Sequence, residues 1–149
     1  MKRLFLASLV LGYAVFFLPA QSNQLVDRML EDEGADVADA AYMVLLSAGA
    51  VDENASTGDA VSYALQQGWL PEGVEAGQTI TFGEFAHILM EAHGEAGGIM
   101  YRLIPGPRYA AREANFQNWS VERRSQDEEI SGETAIRILG NYLASKEEG

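Results

Sequence analysis

Glu84, His87 and Glu91 stand at i, i+3 and i+7, which sets two carboxylates and an imidazole on one face of a helix. A Glu-x-x-His pair ligates metal in di-iron bundles, where a second copy and further glutamates complete the site. This chain holds one copy, and His93 falls on another part of the same helix. A metal-dependent hydrolase built on these three residues is therefore the weakest of the functional expectations, with His87 otherwise a surface or partly buried histidine. Asp39, Glu84 and Glu133 form a second acidic set, but each lies early in a helix, where negative charge offsets the helix dipole. They are expected as caps rather than catalysts. Asp52-x-Asn54-x-Ser56 has the start of a calcium loop, but its glycine is one place late, at Gly58, and Tyr63 stands where the closing glutamate belongs. A turn and an N-cap are expected there.

The segment 101–124 has a different chemistry. It carries Arg102, Arg108, Arg112, Arg123 and Arg124, interleaved with Tyr101, Tyr109, Phe116 and Trp119. Arginine with aromatics is the composition of binding hot spots and of stacking surfaces for sugars or partner side chains. The candidate binding residues are Arg102, Arg108, Tyr109, Arg112 and Trp119. Trp69, the counterpart of Trp119 50 residues upstream, joins them. The alternative is that Arg108 and Arg112 pair with the protein's own acids while the aromatics fill its core. No G-x-S-x-G elbow, P-loop or dinucleotide fingerprint is present, and without cysteine there is no thiol nucleophile. No enzyme and no cofactor are expected.

These residues sit on elements that read as helices. Residues 24–31 predict a short helix stopping near Gly34. Residues 36–48 predict a longer one, with Val37, Ala40, Ala41, Val44, Leu45 and Ala48 at helical spacing and Gly49 as the stop. Ser56 opens a short helix to about residue 67, closed by Gly68. Thr81 and Glu84 make a T-x-x-E capping box for a helix over 81–93, ended by Gly94. Residues 99–103 are a short apolar piece that Pro105 must end. Pro107 suits the first turn of a helix to about residue 118. Ser131 is the expected N-cap of the last helix, 132–144, followed by a frayed tail over 146–149.

Three of the openings look like copies. Asp36-Val37-Ala38-Asp39-Ala40-Ala41, Thr81-Phe82-Gly83-Glu84-Phe85-Ala86 and Ile130-Ser131-Gly132-Glu133-Thr134-Ala135 start 45 and 49 residues apart, each with an acid fourth and alanine sixth. A short helix, a loop and a long helix thus recur three times, over about 23–49, 56–94 and 97–145. Such units bury their apolar faces only by packing together. The fold class is all-α, one domain.

Residues 1–22 are expected to be a secretory signal peptide. Lys2 and Arg3 precede a 15-residue apolar run, and small residues then allow cleavage after Ala20 or Ser22. That run is short for a membrane span, which needs about 20 residues. Export without cysteine suits a bacterial periplasm or cell surface. Beyond Arg3, eight basic residues face 22 acids, a net charge of −14. That surface repels nucleic acid and anionic headgroups.

The Thr81-Phe82-Gly83-Glu84 opening, the loop Gly68-Trp69-Leu70-Pro71-Glu72-Gly73 and the threefold recurrence resemble the S-layer homology (SLH) domain of bacterial cell envelopes. The resemblance implies a compact prism of three helix–loop–helix repeats, whose central helices begin at a T-R-A-E-like motif. It also implies binding of an anionic wall polysaccharide through the arginine of that motif. Here Phe82 and Val37, with Ile130 or Ser131 by alignment, take the arginine's place. The expected role is an exported SLH-like module that binds an envelope protein or glycan through residues 101–124. The alternative is a subunit of a periplasmic assembly, such as a motility or secretion apparatus, that uses protein contacts alone.

Overall fold

The computed structural model describes residues 20–149, with side chains from Asn23 onward. The expected signal peptide lies outside the described residues except for the backbone of 20–22. The elements are α1 (Ala20–Glu31), α2 (Val37–Ser47), α3 (Thr57–Gln66), α4 (Phe82–Ala92), α5 (Ile99–Leu103), α6 (Pro107–Phe116) and α7 (Gly132–Glu147). The described chain is all-helical, and none of its helices is long and apolar enough to cross a membrane. α1 takes in residues 20–23 as well as the expected 24–31. α7 outruns its expected end. Lys146 is held by an ion pair to Glu95 at 2.6 Å, and its ammonium lies 5.3 Å from the Tyr142 ring centre.

Local chemistry fixes the helix starts. The Thr81 hydroxyl accepts from Glu84 N–H, and the Glu84 carboxylate accepts from Thr81 N–H, the reciprocal box foreseen from the T-x-x-E pattern. Ser56 and Asp59 form the same box on α3, while Asp52 accepts from Asn54 N–H at 2.8 Å, so the Asp52–Ser56 stretch is turn and cap. Ser131 caps α7 by accepting from Thr134 N–H at 3.2 Å. Two expected caps differ. Asp39 stands in the first turn of α2, yet its carboxylate is gripped by both Nε and an outer nitrogen of Arg28 from α1, at 2.9 and 2.8 Å. Glu133 pairs with Arg137 one turn along α7 instead of reaching back to Ser131.

Helix ends are equally regular. After α2, α3, α4 and α6, the second residue past the helix end takes left-handed backbone: Gly49, Gly68, Gly94 and Asn118. The residue after that returns an N–H to the carbonyl five places back, as in Trp69 to Ala64 and Trp119 to Ala114.

The three long helices start from one hydrogen-bonded ring. Ala35 N–H donates to Ile130 C=O at 2.8 Å, Ile80 N–H to Ala35 C=O at 2.9 Å, and Ile130 N–H to Ile80 C=O at 3.2 Å. All three ring residues are buried, and each immediately precedes an N-cap: Asp36, Thr81 or Ser131. The ring also sets the register. Ser131, not Ile130, matches Thr81 and Asp36, so the spacings are 45 and 50 residues, and the third acid falls one place earlier than in the other copies. The position after the cap is therefore Val37, Phe82 or Gly132, rather than Ile130 or Ser131 in the third copy. Val37 and Phe82 are fully buried there, and a Cβ on Gly132 would stand 1.8 Å from the Met29 carbonyl oxygen.

α4 is buried nearly all round, with Phe82, Phe85, Ile88, Leu89 and Met90 inside. α6 lies against it through Ala110, Ala111 and Ala114. Small residues allow that approach: a Cβ on Gly83 would stand 2.9 Å from the Pro107 carbonyl oxygen.

Candidate binding groove

α6 has two faces. Ala110 and Ala114 turn to α4, while Tyr109, Arg112 and Phe116, at i, i+3 and i+7, line a groove on the other side. α5 supplies the opposite wall through Ile99, Met100 and Tyr101, and Arg123 closes one end from the loop after α6. The cavity measures about 490 Å³. Gly98 N–H, at the mouth of α5, donates to the Glu113 carboxylate at 3.1 Å and ties the two walls together. Glu113 also accepts from Gln117, so the groove's own acid is engaged.

The walls are apolar and open to solvent. Of the lining residues, Ile99 is 75% exposed, Met100 44% and Phe116 77%, against a core whose large side chains are almost fully enclosed. Large apolar residues concentrated on one surface mark a contact site. Arg102, Arg108, Arg112 and Arg123 make no ion pair among the described residues. The expectation that Arg108 and Arg112 find acids of the same protein is thereby overturned. Both guanidinium carbons instead lie 5.8 Å from the Tyr109 ring centre. These two cations share one aromatic ring and keep their donors free. Arg124 differs: it pairs with Glu128 and with Glu122, and its backbone exchanges two hydrogen bonds with the Asn115 side chain. It fastens the loop to α6.

Of the sequence-derived set, Tyr109 and Arg112 line the groove and Arg102 and Arg108 flank it on α5 and α6. The two tryptophans do not. Each occupies the third residue past a helix end, where the capping turn folds an apolar side chain back on the helix. Trp119 is buried edge-on against Tyr142 at 4.9 Å, and Trp69 packs edge-on against Tyr63 at 5.7 Å. Both are structural. Sequence reasoning missed Ile99 and Met100 as groove residues, and it named Phe116 among the aromatics of segment 101–124 without choosing it as a contact. The signal for Ile99 and Met100 was an apolar run too short to be a core helix, pinned between glycines and Pro105.

Behind the groove lies a polar chain. The Tyr101 hydroxyl donates to Glu91 at 2.7 Å and meets His87 Nδ1 at 2.9 Å. Since the tyrosine proton goes to Glu91, His87 Nδ1–H is the donor in the second bond. Burial holds His87 below its ordinary value, partly opposed by the Glu91 charge. Burial, reinforced by the Glu91 bond, pushes the Tyr101 hydroxyl far above its ordinary value. The chain is therefore a neutral phenol and imidazole leaning on one carboxylate. Glu84 does not join it, being committed to Thr81. Among the described residues no three Asp, Glu or His side chains gather as a metal would require, so Glu84, His87 and Glu91 do not come together as the hydrolase expectation needs.

Comparison with known proteins finds no protein-family model, no curated protein and no solved structure that matches this chain.

Proposed function

We propose that this chain is an exported, non-catalytic bacterial envelope protein of SLH-like architecture that docks to a protein or glycan component of the cell wall or outer membrane through its α5–α6 face. The single observation that carries the docking role is the groove itself: exposed apolar walls beside arginines that the rest of an acidic protein leaves unpaired. Support for the architecture comes from the ring of Ala35, Ile80 and Ile130, which gives the three helix openings equivalent places. The same geometry speaks against the motif-based polysaccharide grip. Val37, Phe82 and Gly132 are packed inside, so a side chain at those positions has no path to an external ligand.

The test is a pull-down from envelope fractions with the full chain and with an Arg108→Glu, Arg112→Glu double variant. Both side chains are exposed, so the variant keeps the fold and is expected to lose its envelope ligand. An unchanged pull-down would overturn the proposal. A second reading, a subunit of a periplasmic assembly using protein contacts alone, is favoured by one observation: the groove exposes large aliphatic and aromatic side chains, Ile99 and Phe116, of the kind that protein interfaces bury. Cross-linking in cells that recovers one defined protein partner supports this reading. Co-sedimentation with purified wall material supports glycan anchoring.

A further inference from the structure

We infer that the occupant of the α5–α6 groove is an acidic amphipathic peptide segment of a partner protein, with an aliphatic or aromatic side chain between Ile99 and Phe116 and flanking carboxylates on Arg112 and Arg123. This deepens the docking role proposed above and rests on it. Charge carries the assignment. Segment 99–124 holds five arginines and two glutamates, in a chain whose formal net charge is −12. Glu113 is taken up by Gly98 and Gln117, and Glu122 faces Arg124, so the cations at the groove are left for something from outside. An arginine offers a planar fork that fits a carboxylate with two parallel bonds, and Arg112 is held over Tyr109 with those donors free.

Shape carries the rest. Tyr109, Arg112 and Phe116 run along α6 at helical spacing, so this wall of the groove is an elongated row of ring, cation and ring rather than a pit for one small polar ligand. A helix laid along it presents its own apolar residues at i, i+3, i+4 and i+7. The apolar walls need a hydrophobic anchor, which a glycan lacks. Elsewhere the molecule is strongly acidic, which disfavours an anionic bilayer beyond the immediate patch.

The experiment pans a phage-displayed library of random peptides, each roughly 14 residues or four helical turns long, on the full chain. Selected peptides are synthesised and their affinities measured by fluorescence anisotropy. Expected is enrichment of sequences with Asp or Glu beside Leu, Phe or Trp at helical spacing. Binding should fall by about 30-fold or more in Phe116→Ala, as for a truncated hot-spot residue. Arg112→Glu should abolish it, while Arg137→Glu, on α7 away from the groove, leaves it intact. Selected peptides that are basic, or that bind Phe116→Ala as well as the parent, overturn the inference. So does failure to select any peptide while circular dichroism shows the chain folded.

Two further arms identify the other occupants. Arg112-dependent co-sedimentation with phosphatidylglycerol vesicles, or concentration-dependent self-association abolished by Phe116→Ala, would replace the peptide with a membrane or a second copy. Arg112-dependent binding to purified wall glycan would sink this inference yet leave the envelope-docking role standing.

Discussion

Replacing Gly132 with alanine tests the helix contact that joins the two ends of the fold. Alanine normally favours a helix over glycine, by about 1 kcal/mol in a helix interior and less at a first position. Here the added methyl would lie 1.8 Å from the Met29 carbonyl oxygen and 2.5 Å from its carbon. Those are backbone atoms, so no rotamer change relieves the clash. α1 must lift from α7, loosening Leu25 and Met29 from the core. Overpacking typically costs 1–3 kcal/mol, and a backbone obstacle places this site at about 3. After the propensity gain the net loss is about 2–3 kcal/mol, which for a domain of this size lowers the melting temperature by roughly 10 °C. Gly140 supplies the control. It lies in the same helix with nothing within 4 Å of an added Cβ, so Gly140→Ala should raise the melting temperature by about 2–4 °C. Thermal melts by far-UV circular dichroism read both. If Gly132→Ala melts at or above the parent while Gly140→Ala gains as expected, α1 does not seat on α7 through this glycine and the reasoning fails.

Arg28→Ala should destabilise more than Asp39→Asn, because the Arg28 side chain is 53% exposed and that of Asp39 8%, so only the carboxylate is stranded; about 2 kcal/mol is expected in urea unfolding. Tyr101→Phe strands His87 Nδ1–H behind the groove and should cost about 1–3 kcal/mol, measured the same way. Burial lowers the pKa of both His87 and His93 below 6.5, so the unfolded chain binds protons that the folded chain refuses. Stability from these two is complete above pH 6.5 and is lost as pH falls below it. Melting temperatures should drop between neutral and mildly acidic pH, with a shallower slope in a His87→Asn, His93→Asn double variant. Thr81→Ala removes the acceptor for Glu84 N–H and should cost about 1 kcal/mol.

The helix boundaries were legible because short-range chemistry sets them. Thr81 with Glu84, Ser131, Pro107 and the glycines at 49, 68 and 94 each act within a turn of their own position. What lay beyond that range was not legible. Whether Ile130 or Ser131 opens the third copy depends on a bond from Ala35, nearly a hundred residues earlier. Asp39 looked like a cap because its partner Arg28 belongs to the preceding helix. At the groove, composition marked 101–124 but could not sort its aromatics. Tyr101 and Trp119 are buried while Phe116 is exposed, and the turn after α6 and the packing of α6 on α4 decide which. The ion-pairing alternative for Arg108 and Arg112 failed for a geometric reason: they flank Tyr109 on a helix whose own acid, Glu113, is turned to Gly98.

The ring at Ala35, Ile80 and Ile130 bears on how such a protein can grow. Each member gives one N–H and takes one through its carbonyl, so after three members no donor or acceptor is left over. A stack of repeats with open ends lengthens by adding a unit at either end. This one cannot, because its first and last members already bond each other. Duplicating the coding sequence would yield a second closed body on a tether, and the number of binding faces would rise only in whole molecules.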